Sequence, residues 1–372
     1  MEALGAVQDL ARRFAREKVL PEAARLDREA RFPWELFWEG AALGLPVLVV
    51  PEVYGGAGLG PRALAVVAEE LACACPGVTA ALLLNNLVAD ALLLSGSPYA
   101  QGFLPRLKAE VASYALTEPH AGSDVAAIRS RAERVPGGFR LYGRKTWISH
   151  APEAGFFVVF AKVAEGREGI AAFLVEREGV EVGPPLPKLG QRASSAAEVA
   201  LEGTFVPEEA LIAREGFRLA MGVFDRSRGP WWPPWPWASC AGPWTRLWPT
   251  PGCGRLSARP FGSTRGWRLS WRRWPWTSRP PASSPTGRPA WRKGERPTPW
   301  RRPWPRPSPP TLRCGGSPRP SRSLGATATP RTTPMAKLYR DAKVLQIYEG
   351  TSEIQRVIVL RELLRRERWA SR

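Results

Sequence analysis

Glu349 stands between Tyr348 and Gly350, a carboxylate set among apolar neighbours near the end of the chain. Desolvation raises a carboxyl pKa, and such a group is suited to proton abstraction at neutral pH. A helix-entry glutamate accounts for the same pattern and is commoner. A second candidate runs from Tyr114 to Asp124 (YALTEPHAGSD), a polar loop containing Gly122. Without a Cβ at Gly122, backbone N–H groups can approach a flat or phosphorylated ligand; an ordinary surface loop is the alternative. Trp147-Ile148-Ser149 ends the strand that follows. It could wall a planar cofactor, although a lone strand Trp is more often core. The two histidines, His120 and His150, have no Cys neighbour at metal-ligand spacing, and the five cysteines form no CxxC pair. Cys73 and Cys75 lie two residues apart on one predicted helix and face different sides. That usage fits a reducing cytoplasm.

The elements that carry these residues follow from the apolar period. Leu4, Val7, Leu10, Ala11 and Phe14 keep helical spacing, as do Leu64, Val67, Ala68 and Leu71 after Pro61. Pro51 to Gly60 is too glycine-rich for regular structure. From about 111 the period becomes two: Phe139 and Leu141 alternate after Gly137-Gly138, and Phe156–Val163 and Gly169–Val175 are short apolar runs bounded by turns. Helix returns with Phe217, Leu219, Ala220, Val223 and Phe224, and again over Asp341–Arg366 with a break at Ile347–Thr351. The prediction is an α+β protein: a helical domain over 1–110, a small β-barrel or sandwich over 111–213 and a helical bundle over 214–372. No stretch offers 18 uninterrupted apolar residues, so no transmembrane helix is expected. The charged start, MEALGAVQDLARRFAREKVL, does not read as a secretory signal.

One block breaks the pattern. Residues 226–334 hold 13 of the 17 Trp, 24 of the 39 Pro and 21 Lys+Arg against one acid, Glu295. The block carries a net charge of +20 in a chain of +19, so the remainder sums to −1 and the basic character belongs to this block alone. Three readings compete: a basic aromatic arm for nucleic acid, a Pro/Arg linker, and translation out of frame. Read one base earlier, the Trp codon UGG becomes NUG (Leu, Met or Val), Pro becomes Ala, Ser, Thr or Pro, and Arg AGG becomes Glu, Lys, Gln or a stop. Pro230–Trp237 can then return Ala-Leu-Val-Ala-Ala-Leu-Ala-Leu, which is good helix material. Leu324–Thr329 can return Leu-Gly-Gly-Tyr-Gly-Tyr. As written, its proline density predicts no regular helix beyond about two turns over 230–333.

Together the motifs resemble those of the acyl-CoA dehydrogenases, near the short- and medium-chain, butyryl-type members. Ala115–Ala127 (ALTEPHAGSDVAA) is similar to the family's flavin-loop signature, and Lys145–Ser149 (KTWIS) to its flavin-wall strand. Arg340-Asp341-Ala342-Lys343 with Ile347–Arg356 (IYEGTSEIQR) is similar to its catalytic segment. The likeness covers 1–228 and 335–366. The family's Arg-x-x-Phe-Gly motif and glycine–aromatic turn are missing as written, and both return in the shifted frame.

The resemblance implies FAD-dependent conversion of a saturated acyl-CoA to its trans-2-enoyl-CoA. Glu349 would be the base that takes the α-proton while the β-hydrogen leaves as hydride to the flavin. FAD contacts would come from Tyr114, Leu116, Thr117, Gly122, Ser123, Trp147, Ile148, Ser149, Thr351, Ser352 and Glu353. Ser123, Ser194, Asp225, Arg228 and Gly350 would meet the acyl-CoA or order the base. The family is usually tetrameric and passes electrons to an electron-transfer flavoprotein. An acyl-CoA oxidase is one rival reading. A non-enzymatic remnant with a basic Trp/Arg arm is the other; the expectation is no nucleic-acid partner and no stable membrane insertion.

Overall fold

The computed structural model describes residues 2–231, 334–348, 350–351, 353–354, 357 and 360. Helix α1 (Glu2–Phe14) runs through one π turn into α2 (Leu20–Glu29), which closes on Ala30 in left-handed conformation. Then come α3 (Trp34–Ala42), α4 (Pro61–Ala74), α5 (Pro76–Leu83), α6 (Asn85–Ser95) and the short α7 (Pro98–Gln101). Pro begins α4, α5 and α7, where its missing N–H costs nothing. Between α3 and α4 the glycine-rich stretch makes a single 3₁₀ turn, Glu52–Tyr54. Pro76–Ser95 is long and apolar enough for a membrane by composition, but 78% of its most apolar window is buried inside the protein. It is packed as a core element.

Eight strands follow: β1 (Val111–Ala115), β2 (Arg131–Val135), β3 (Gly138–Ser149), β4 (Ala154–Lys162), β5 (Ile170–Glu176), β6 (Glu181–Val182), β7 (Ala196–Pro207) and β8 (Leu211–Ala213). They form one sheet in the order β6-β7-β3-β2-β4-β5-β8, and β1 adds to β4 in parallel. The apolar runs of β4 and β5 are central, and their alternate residues enter different cores. Phe156, Val158 and Phe160 join α6 and the helix after β8. Phe157, Val159 and Ala161 join Leu141, Phe173 and Val199 on the other face. Each fully buried Phe or Val contributes about 1.5–3 kcal/mol through burial.

Helix returns as α8 (Gly216–Trp231), and α9 (Pro334–Lys343) leads through a 3₁₀ turn (Val344–Gln346) into the break at Ile347. The described residues thus run helices, strands, helices, as the sequence period predicts. The expectation for 230–333 lies, from 232 on, outside the described residues.

Candidate functional site

Two of the sequence motifs are brought side by side. The loop after β1 lies against the end of β3. The Thr146 N–H donates to the Thr117 carbonyl at 3.0 Å, and the Ser113 hydroxyl donates to the Ser149 carbonyl at 2.8 Å. A buried ion pair locks the two: Lys145 Nζ lies 2.7 Å from Glu118 Oε1, with side chains 0% and 2% exposed. The same ammonium reaches the Leu116 carbonyl, and Glu118 also accepts the N–H groups of Arg129 and Ser130 at 2.7 and 3.1 Å. Burial pushes the Glu118 carboxyl up, but Lys145 and these donors overcome it and hold the group below the ordinary carboxylate range.

On this support the chain presents an unusual wall. The β3–β7 register shifts between Lys145 and Ile148. Within that bulge Trp147 has φ 57° and is 56% exposed. Left-handed backbone is costly for a bulky residue and marks a constrained position. A large exposed aromatic held there has a face to offer. On the loop after β1, Gly122 and Ser123 are exposed, and a Cβ at Gly122 would meet nothing within 4 Å. Thr117 and Ser149 are half-buried. Leu116 and Ile148 point their side chains into the cores, at 5% and 1% exposure, so only their backbone can face this surface. Tyr114 packs its ring on Phe160 at 4.9 Å and on Phe224 of α8 at 6.0 Å. Asp225 follows Phe224 on this helix and is exposed.

Ser194 lies beneath the surface. It is 4% exposed, and its hydroxyl pairs with His150 Nε2 at 2.8 Å. His150 also has positive φ, and its Nδ1 is buried without a partner among the described residues. Burial, with Lys188 nearby, pushes its pKa down to about 3, so the ring is neutral. Gly350 has φ 92°, and the Thr351 hydroxyl accepts the Ile354 N–H at 3.4 Å. Glu353 is exposed. Arg228 lies on α8, while Glu349 and Ser352 fall outside the described residues.

Sequence reasoning assigned no role to Glu118, Lys145, His150, Gln191, Lys337 or Asp341. Lys145 did carry a signal. It shares strand parity with Phe139 and Leu141, so a period of two places its charge in the core, where it needs a partner.

Comparison with known proteins bears on this arrangement. The acyl-CoA dehydrogenase N-terminal domain matches residues 1–110, the middle domain 113–204 and the C-terminal domain 322–364. Benzylmalonyl-CoA dehydrogenase of Aromatoleum aromaticum is 36% identical over 216 residues, 56% of this chain and 57% of that protein. The chain thus aligns with little more than half the length of this curated relative. Butyryl-CoA dehydrogenase from Megasphaera elsdenii has a similar structure, with TM-score 0.78 at 23% identity over 98% of both chains. An FAD complex of PigA gives TM-score 0.75 at 19% identity, again over 98% of each. At these identities the structural likenesses speak to the fold.

Proposed function

We propose, from the premise that the chain belongs to the acyl-CoA dehydrogenase family, that it is built for FAD-dependent α,β-dehydrogenation of a saturated acyl-CoA. The observation that carries the reading is Trp147, exposed and left-handed in a β-bulge whose preceding residue, Thr146, donates its N–H to Thr117 of the loop that also holds Gly122. An exposed aromatic face of this kind is suited to stacking a planar ring system. The protein solved as an FAD complex shares this fold. FAD, when bound, supplies the hydride acceptor.

The chain's own groups would divide the remaining work. Trp147 forms one wall; Tyr114, Thr117, Gly122, Ser123 and Ser149, with the backbone of Leu116 and Ile148, supply contacts; Thr351, Ser352 and Glu353 meet the cofactor's other parts. Glu349 takes the α-proton. Its backbone N–H donates to the thioester carbonyl, where enolate charge develops. Asp225, Arg228 and Gly350 order the substrate or the base. Ser194 acts through His150, which is next in sequence to Ser149. The electron acceptor is an electron-transfer flavoprotein, the assembly a homotetramer, the setting cytoplasmic and the pathway fatty acid metabolism.

The test is flavin reduction by a saturated acyl-CoA in the frame-restored protein. Glu349→Gln keeps shape and FAD but removes the base, and bleaching should slow by about 10³-fold. Ser149→Ala removes one hydrogen bond, on the order of 1 kcal/mol, and should cost only about fivefold. Near-normal reduction by Glu349→Gln would place the base elsewhere. Rapid reoxidation by air would favour an oxidase.

A further inference from the structure

Helix α9 delivers the chain to the Ile347–Thr351 break, and its anchorage is polar and buried. Arg340 pairs with Asp27 of α2 at 2.5 Å and donates to the Leu189 carbonyl at 2.9 Å. Asp341 is 0% exposed; one carboxylate oxygen accepts the Gln191 N–H at 2.5 Å, and the other accepts from Lys337 Nζ at 2.6 Å. Lys337 also touches Cys75 Sγ, just before α5, at 3.2 Å. Burial works against this ammonium, but Cys75 and Asp341 hold it above the ordinary lysine range.

The loop that receives α9 has no slack. A Cβ at Gly190 would overlap the Arg340 carbonyl, and Gln191 is left-handed with φ 49°. Lys188 holds the other side of the loop through the Gln191 and Ser194 carbonyls. From Ser194 the chain of contacts passes to His150 and so to Ser149. A continuous set of buried and part-buried bonds therefore joins the helix before the proposed base to the strand end that carries the proposed flavin wall. Every member lies outside 232–333.

We propose that Asp341 is a positioning residue. By gripping the Gln191 N–H and the Lys337 ammonium together, it fixes the distance between the Ile347–Thr351 break and the Trp147–Ser149 wall. This rests on the reading of Glu349 as base. A displacement of about 1 Å at a reacting centre can cost about 10²-fold in rate.

The experiment uses the full-length, frame-restored protein. Asp341→Asn weakens both grips. Lys337→Met/Asp341→Leu removes both buried charges, so no unpaired ion remains if the single variant fails to fold. Amide exchange should speed by at least tenfold at Gln191 and across 338–348 in either variant, with β4 and β5 unchanged. FAD stoichiometry and the Kd for enoyl-CoA should stay within about twofold, while flavin reduction falls by about 10²-fold. Loss of FAD and substrate affinity together would mean that Asp341 only supports the fold, and would overturn the proposal. Unchanged exchange at Gln191 and 338–348 would overturn it as well. Glu349→Gln separates the two readings: if that variant still reduces flavin normally, the base is misassigned, and the exchange result alone decides the role of Asp341.

Discussion

Two buried titratable side chains should oppose each other in acid. His150 is fully buried, with its pKa pushed down to about 3 by burial and Lys188. Asp90 on α6 is 5% exposed, and burial raises its carboxyl to about 6 against the pull of Arg226 at 3.3 Å. The signs follow from which state binds more protons. For His150 it is the unfolded chain, between about pH 6.5 and 3, so stability is lost as pH falls through that window. For Asp90 it is the native protein, between about pH 6 and 4, so stability is gained as pH falls. From pH 7 to pH 5 the His150 contribution drops by about 2 kcal/mol and the Asp90 contribution rises by about 1.4 kcal/mol. The wild-type protein should therefore lose only about 0.5 kcal/mol from this pair.

Single variants uncover the cancellation. His150→Asn suits the left-handed backbone and gives up the Ser194 bond, about 1 kcal/mol at every pH. Its stability should rise by about 1.4 kcal/mol between pH 7 and 5, while Asp90→Asn should lose about 2 kcal/mol over the same range. Urea unfolding followed by far-UV circular dichroism measures both, avoiding a fluorescence signal divided among 17 Trp. If His150→Asn keeps the wild-type pH slope, the imidazole is not held neutral, and the burial argument fails.

Two further outcomes are expected. Lys145→Met leaves Glu118 buried without its ion partner and should cost about 3–5 kcal/mol in urea unfolding, with Lys145→Met/Glu118→Gln recovering at least half; no recovery would mean that the side chain's packing, not its charge, holds the loop. Independent resequencing should reveal two compensating indels, one near codon 228 and one near codon 334; reads that reproduce the written frame at both points would end the out-of-frame reading.

The order helices, strands, helices was legible because the apolar period changes where the structure changes, near 111 and again near 216. The runs Phe156–Val163 and Gly169–Val175 announced strands, and β4 and β5, which they supply, are buried on two faces. Strand order was not legible. Parallel pairing of β1 with β4 joins residues about 40 apart, and no local pattern encodes that. The flavin-loop and wall motifs could be read as short signatures. The groups that lock them could not, because an ion pair such as Glu118–Lys145 is visible only once both residues have the same neighbours. His150 was set aside as a histidine without metal-ligand spacing; its left-handed backbone and buried Nδ1 are tertiary facts.

The anomalous block and the family assignment bear on one another. The N-terminal and middle matches end by residue 204, and the C-terminal match opens at residue 322. Most of the Trp/Pro/Arg tract lies in the interval between them, where codons shifted by one base can return helix-forming sequence. A genuine basic arm for nucleic acid has no reason to stop where a dehydrogenase domain resumes, nor to hide that domain's glycine turn in an adjacent frame. Beyond the block, Arg340, Asp341 and Lys337 still find Asp27, Gln191 and Cys75. Those partners belong to α2, the 188–194 loop and the α4–α5 junction, so the segment leading to the proposed base is placed by residues on the near side of the interruption. Restoring the frame would then supply the rest of the helical bundle without moving that segment.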